Sequence, residues 1–187
     1  MSERISDHLP KTQKYLPKQR LWYIRANEVL ISSGSIERPL VFGNNDTPGV
    51  MLSSAAKEYM KIYGVLVGKK PLIFTNNDSG YETAIEFKKN GVNPIILDTR
   101  SNPSSDIITE AKNLNIEIKF SYVVVAAKGY KKVKSADIAK ISDDKKELFN
   151  IENIECDCIC VSGFWTPSIH LASQSGNKSK FNEKIDA

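Results

Sequence analysis

The sequence predicts an α/β fold built on a parallel sheet, and three observations predict it. Residues 71–98 read as an apolar strand (71–74), a polar turn (75–80), a helix (81–89) and a second strand (92–97) ending in Asp98. A βαβ unit of about thirty residues has this order. A further helix at 103–113 and a third strand at 116–120 continue the alternation, which argues for a parallel sheet covered by helices. Residues 122–126, 131–134 and 137–141 then read as three short antiparallel strands, a meander added to the sheet.

The remaining elements follow from spacing and punctuation. Residues 1–20 carry Pro10 and Pro17 and few periodic apolar positions, as in a loop or edge hairpin. Leu21 and Tyr23 alternate with Trp22 and Ile24, a strand signal, and 28–31 form a short apolar strand ending at Ser32-Ser33-Gly34. Residues 35–50, with Pro39, Gly43, Pro48 and Gly49, form a connector. Over 51–63, Met51, Leu52, Ala55, Ala56, Tyr59, Met60 and Tyr63 have helical spacing, and Gly64 stops the helix. Asn90-Gly91 closes the helix at 81–89, and Ser104 or Ser105 caps the one at 103–113. Residues 155–161 form another buried strand ending at Ser162-Gly163, with Cys156, Cys158 and Cys160 alternating onto one side of it.

Composition excludes several classes. Apolar residues make up 41% and charged residues 26%, the balance of a globular chain. The net charge of +4 is dispersed, and Lys128–Lys134 (KGYKKVK) reads as a solvated hairpin, so no nucleic-acid partner is expected. No apolar run reaches 18 residues, so no membrane helix is expected, and the polar, acid-containing start MSERISDHLPKTQ excludes a secretory signal. A cytoplasmic location is the expectation. The three cysteines lack metal-site spacing with His8 or His170, so no metal is expected. No Cys-x-x-Cys pair exists for disulfide reduction, and His170 has no nucleophile elbow around it. No residue stands out as catalytic.

The turn after the first strand of a dinucleotide-binding unit normally reads G-x-G-x-x-G, with glycines for the turn, for close approach of a diphosphate and for helix–strand packing. Here it reads Thr75-Asn-Asn-Asp-Ser-Gly80, so only the third glycine remains. Asn77 stands where a side chain obstructs the diphosphate. Asp78 adds negative charge at the helix terminus and is expected to cap it. The unit is therefore expected to keep the architecture and to bind a dinucleotide poorly or not at all. Asp98 stands where a ribose-binding acid would be, and otherwise reads as a surface acid at a strand end.

The run Gly34-Ser-Ile-Glu-Arg-Pro-Leu-Val-Phe42, with Asn44-Asn-Asp46 and Pro48-Gly-Val-Met51, resembles the alpha subunit of heterotetrameric sarcosine oxidase, as does Phe74-Thr-Asn-Asn-Asp-Ser79. Leu21-Trp22 through Ala26, Val161-Ser-Gly163, Trp165, Pro167, His170-Leu171 and Ser173-Gln-Ser-Gly176 agree with it too, in order along nearly the whole chain. The resemblance implies an internal segment of a subunit that binds NAD. The complex would oxidatively demethylate sarcosine to glycine and transfer the one-carbon unit to tetrahydrofolate. FAD and FMN would lie mainly on the partner subunit or at an interface, tetrahydrofolate in a domain outside this chain, and the beta, gamma and delta subunits would be the partners.

The resemblance also implies two nested dinucleotide-binding domains, as in two-domain flavoprotein reductases, which commonly carry a meander after the third strand. The fold is then a Rossmann-like βαβ domain with an antiparallel meander, plus partial strands of a second FAD/NAD-binding-type domain. Residues 1–47 would end the first domain, 48–150 form the inserted one and 151–187 return to the first. The cofactor-facing residues would be Ser32, Ser33, Gly34, Ser162, Gly163, Trp165, Thr166, His170 and Leu171. The peptides around Ser33 and Gly163 are expected to meet as two lips of one cleft, with the Asn77–Asp78 loop apart from it.

Other readings of the same residues stand beside this one. Ser32–Gly34 can be an ordinary strand-end turn, Trp165 a buried hydrogen-bonded indole, and Asn44, Asn45 and Asp46 turn formers. Arg38 can meet an anion, or pair with Glu37 or Asp46. At the level of the whole protein, the alternatives are the large subunit of an opine, proline or N-methylglutamate oxidising complex, or a non-catalytic scaffold for partner subunits.

Overall fold

The computed structural model describes residues 2–11, 14–176 and 178–183. The chain divides into two units, 1–32 and 33–187. In the first, strands β1 (Ser2–Arg4) and β2 (Gln19–Leu21) pair antiparallel. This is the edge hairpin read from the sequence, although residues 1, 12 and 13 of that reading lie outside the described ones. Asp7 ties the ribbon together, accepting from Arg4 Nε at 3.0 Å and Gln19 Nε2 at 2.8 Å, and Trp22 Nε1 donates to Glu3 Oε2 at 2.9 Å. The strand signalled by the alternation from Leu21 to Ile24 ends at Leu21, the one expected at 28–31 is absent, and Leu30 is 94% exposed. Alternation shows that a segment can pair; a strand also needs a neighbour to take its N–H and C=O groups.

The second unit begins with β3 (Ser35–Arg38), β4 (Val50–Leu52), α1 (Ser53–Tyr63), β5 (Pro71–Thr75), α2 (Ser79–Lys89), β6 (Ile95–Asp98), α3 (Asp106–Asn113) and β7 (Glu117–Phe120). It continues with β8 (Tyr122–Lys128), β9 (Ser135–Ile141), β10 (Leu148–Glu155), β11 (Cys158–Pro167) and α4 (His170–Gln174). The βαβ unit stands as read. So do the stop of α1 at Gly64, which is left-handed (φ 63°), and the start of α3 after Ser105.

Three local expectations are corrected. The connector at 35–50 contains β3 and the start of β4, because β11 offers both its partner edge. The meander exists, but its strands are β8, β9 and β10, in spatial order β10-β9-β8. Residues 131–134 belong to the turn between β8 and β9, and the third meander strand is β10, whose Leu148, Phe149 and Ile151 are exposed and whose apolar residues do not alternate strictly. The single strand expected at 155–161 is two strands in two sheets. The chain changes sheets at Asp157, whose carboxylate accepts from the Lys69 and Lys70 amides, at 2.8 Å for the shorter contact to each. Cys156 therefore sits in the meander core, while Cys158 and Cys160 face the helices.

The parallel sheet runs β4-β11-β5-β6-β7, with β3 antiparallel beside the second half of β11. β5 and the first half of β11 are buried on both faces, which is why they read as nearly unbroken apolar runs, while β4 and β7 are only partly buried. Ile73, Ile96, Cys158 and Cys160 point into a core with Ala56 and Met60 of α1, Tyr81, Ala84 and Phe87 of α2, and Ile108 and Ala111 of α3. Leu72, Phe74, Leu97, Ile159 and Val161 point the other way, onto Val124, Ala136 and Ile138 of the meander. The result is three layers: helices, parallel sheet, meander. Register aligns Ser162, Thr75, Asp98 and Phe120 in one row across the carboxyl ends of β11, β5, β6 and β7.

Candidate functional site

In an open α/β sheet, ligands bind beyond the carboxyl ends of the strands where the strand order reverses. Here that point lies between β5 and β11, since β6 and β7 extend from one side of β5 and β11 from the other. The turn at 75–80 and the Ser162–Gly163 peptide meet there.

The turn satisfies itself. Thr75 Oγ1 accepts from the Asn77 amide at 3.1 Å and donates to the Asn77 carbonyl at 2.8 Å. Asn77 Oδ1 accepts from the Ser79 amide at 2.9 Å and from the Ser79 hydroxyl. Asn77 Nδ2 donates to the Ser162 carbonyl at 3.2 Å, and the Ser79 and Ser162 hydroxyls are 2.8 Å apart. One of the donors that the amino terminus of α2 would offer to a phosphate, the Ser79 amide, is thus met by the chain's own carboxamide, and the Tyr81 amide donates to the Asp78 carbonyl. Gly80 retains its packing role: a Cβ there would stand 2.7 Å from Thr75 Cβ. Contrary to expectation, the Asn77 loop does not stand apart from the Ser162–Gly163 peptide; it is bonded to it.

Asp78 is not the cap. Its backbone is already helical (φ −77°, ψ −19°), whereas an N-cap needs an extended one, and it makes no cap hydrogen bond. Its carboxylate lies 2.8 Å from Arg100 Nη2. Arg100 also holds Asp98 through Nε at 3.0 Å and Nη2 at 2.8 Å. Asp98 is fully buried, rather than the surface acid of one reading, and also accepts from the Tyr81 hydroxyl at 2.7 Å and the Arg100 amide at 2.9 Å. Burial and the Asp98 carboxylate push the Tyr81 phenol well above its usual range. A cavity of about 350 Å³ lies beside Arg100, lined by Thr99, Ser101, Asn102, Ser121 and Ser142 among others. Two carboxylates already meet that guanidinium, and the cavity also carries Asp143 and Lys145.

Of the remaining predicted residues, Gly163, Trp165 and Thr166 lie on the antiparallel ribbon of β3 and β11, Ser33 and Gly34 lead into β3, and His170 and Leu171 lie on α4. Ser33 Oγ donates to the Ser168 carbonyl at 2.6 Å, and the Ser168 amide donates to the Gly34 carbonyl at 2.9 Å. Gly34 is left-handed (φ +66°) with open space where a Cβ would be. Gly163 pairs with Arg38, at the other end of the ribbon. Gly34 and Gly163 therefore share one ribbon but do not face each other as two lips: the register Pro167↔Ser35 separates them along the strands. Gly163 instead lines a cavity of about 260 Å³ with Arg38, Pro39, Leu40, Asn76 and Phe164. The Arg38 guanidinium lies over the Phe164 ring, 5.8 Å from its centre.

Trp165 stands opposite Glu37 and donates through Nε1 to Ser79 Oγ at 3.2 Å. Thr166 pairs with Ile36; His170 and Leu171 are exposed on α4. Ser32 ends the first unit. Asn44 is a turn former as read, left-handed (φ 57°) and donating through Nδ2 to the Ala127 carbonyl at 3.1 Å. Sequence reasoning missed Ser79, whose hydroxyl joins Asn77, Ser162 and Trp165, and Glu37. Ser79's place two residues after Asn77 was a usable signal; Glu37 had none, because its partners come from distant elements. Among the described residues, no cluster of three or more His, Cys, Asp or Glu could hold a metal, and no helix is long and apolar enough to cross a membrane.

No family model matches the chain. In fold it is similar to the thioredoxin reductase of T. acidophilum, at 18% identity and a TM-score of 0.63, covering 79% of this chain and 47% of that one. A ferredoxin reductase of Rhodopseudomonas palustris gives 14% identity and a TM-score of 0.56 over 80% of this chain and 37% of that one. A NAD-dependent persulfide reductase of A. fulgidus gives 14% and 0.55, over 80% and 28%. The chain thus has the Rossmann-like dinucleotide-binding fold, with antiparallel meander, found in this class of oxidoreductases.

Sequence narrows the class. The sarcosine oxidase alpha subunit of Rhizobium meliloti (strain 1021) is 36% identical over 177 residues, 94% of this chain and 17% of that subunit. The alpha subunit from Corynebacterium sp. (strain P-1) is 33% identical over 172 residues, 91% of this chain and 18% of that subunit. The chain belongs with the sarcosine oxidase alpha subunits, and it spans less than a fifth of the length of these relatives.

Proposed function

We propose that the chain is a nucleotide-binding and scaffolding segment of an amine-oxidising subunit of the sarcosine oxidase type. The complex would convert sarcosine to glycine and pass the one-carbon unit to tetrahydrofolate. Its partners would be beta, gamma and delta subunits in the cytoplasm, with FAD and FMN mainly on a partner or an interface. The inserted dinucleotide domain, expected from the sequence to end at residue 150, would instead run on through about residue 163 before the chain returns to the domain of residues 1–47, because β10 and the first half of β11 pair with its meander and its parallel sheet. The segment alone would be catalytically silent. NAD would be met by the ribbon ends, with Ser32, Ser33 and Gly34 at one and Ser162, Gly163, Trp165, Thr166, His170 and Leu171 along the other strand.

The observation that carries this reading is the filled turn. Asn77 Oδ1 already takes the Ser79 amide and hydroxyl at the start of α2, so a dinucleotide held by this subunit would draw on other backbone, and Gly34 has open space where a Cβ would be. Titration of the full-length subunit with NAD tests it. Gly34→Asn, which tolerates the left-handed backbone, adds bulk at the proposed contact and should weaken binding about tenfold or more, each tenfold being about 1.4 kcal/mol. Unchanged affinity in that variant counts against the ribbon site. The same filled turn also favours a second reading, in which the domain binds no nucleotide and only holds partner subunits; absence of NAD binding in the unmutated subunit would support it.

A further inference from the structure

Glu37 and Trp165 are directly opposed across the β3–β11 ribbon, and each reaches a different helix. Glu37 is 4% exposed, and its Oε2 accepts from the Ser54 amide, in the first turn of α1, at 2.9 Å. Leu52, at the N-cap position of α1, has no side chain able to cap. The cap is therefore supplied from another strand, and its negative charge sits at the positive end of the helix. Trp165 makes the second attachment, donating its indole N–H to Ser79 Oγ in the first turn of α2. The two helix starts are tied to each other as well: Thr83 Oγ1 donates to the Ser53 carbonyl at 2.9 Å.

We propose that Glu37 and Trp165 form a clamp that fixes the β3–β11 ribbon to the amino termini of α1 and α2, and that Glu37 is a positioning residue for the backbone at both ends of the ribbon. From Glu37, β3 leads back to Gly34 and Ser33, which bond Ser168, while one step past Glu37 Arg38 pairs with Gly163. Loss of the carboxylate frees the ribbon from α1 and leaves the Ser54 amide without an acceptor. The Glu37 Oε1 and Ser53 Oγ atoms are both buried without a partner. A glutamine at 37 keeps an oxygen that can accept from the Ser54 amide, so it should restore the clamp. The consequence for nucleotide affinity rests on the reading above; the clamp itself does not.

The test uses the full-length subunit with Glu37→Ala, Glu37→Gln and, as a control for loss of α1 stability alone, Met60→Ala. Amide exchange of peptides covering 33–38 and 163–168 should quicken about tenfold in Glu37→Ala, as for a lost cap, and stay near the parent rate in Glu37→Gln and Met60→Ala. NAD affinity should fall several-fold in Glu37→Ala and stay near the parent value in Glu37→Gln and Met60→Ala. Ser79→Ala, which removes the Trp165 acceptor, should quicken the same peptides. If Glu37→Ala leaves the ribbon's exchange unchanged, or Met60→Ala quickens it equally, the clamp is refuted. If the parent binds no NAD, the nucleotide reading fails, and the exchange data still decide the clamp.

Discussion

Gly80→Ala isolates the one glycine that the turn keeps. The added Cβ would lie 2.7 Å from Thr75 Cβ, 2.8 Å from Thr75 Oγ1 and 3.0 Å from Thr75 Cγ2. Ordinary contact between carbon atoms is about 3.5–4.0 Å, so helix and strand must separate by roughly 1 Å or the turn must distort. Thr75 cannot yield by rotation: it is fully buried, and its hydroxyl holds both the amide and the carbonyl of Asn77. Overpacking of this kind costs about 1–3 kcal/mol. Against it stands a gain of about 0.5–1 kcal/mol from replacing glycine in a helix, smaller this close to its start. The net expectation is a loss of about 1–2 kcal/mol, read as faster amide exchange across 79–89 in the full-length subunit. An unchanged or slower exchange in that helix refutes the packing argument.

Arg100→Leu leaves Asp98 buried with only the Tyr81 hydroxyl and a backbone amide. Breaking a buried pair costs about 3–5 kcal/mol, and the retained donors together with the partial exposure of Arg100 reduce this to about 2 kcal/mol; a melting-temperature shift within error of the parent argues against the network. Tyr81 has its pKa raised in the fold, so its contribution is complete below the unfolded phenol pKa of about 10 and is lost as pH rises above it. Stability should therefore fall with pH above about 10, and Tyr81→Phe should flatten that slope in a pH series of thermal melts. Burial pushes the Cys156 thiol up to about 12, and the hydrogen bond with the Cys158 thiol, together with burial, raises Cys160 well above its usual value. At pH 8 both should resist alkylation in the folded protein and react once it is unfolded, which mass spectrometry of labelled peptides reads directly.

The βαβ unit, the helix stops at Gly64 and Gly91 and the loss of the phosphate glycines were legible because each is written locally. Apolar runs, turn residues and helix spacing reflect neighbours a few residues apart. The filled anion position was half legible, since Asn77 stood at the obstructing place, but the sequence pointed to Asp78 as the cap. Only the backbone conformation gave that role to Asn77.

Sequence by itself determined the layer class, the helix-covered parallel strands and the relatedness to sarcosine oxidase alpha subunits. Tertiary structure decided which strands meet. It split residues 155–161 between two sheets, replaced 131–134 with 148–155 as a meander strand and put Gly34 and Gly163 at opposite ends of one ribbon. It also gave the cap of α1 to Glu37, from another strand. Pairing register and cross-chain capping arise from contacts tens of residues apart, whose free energy depends on burial and geometry that no local pattern encodes.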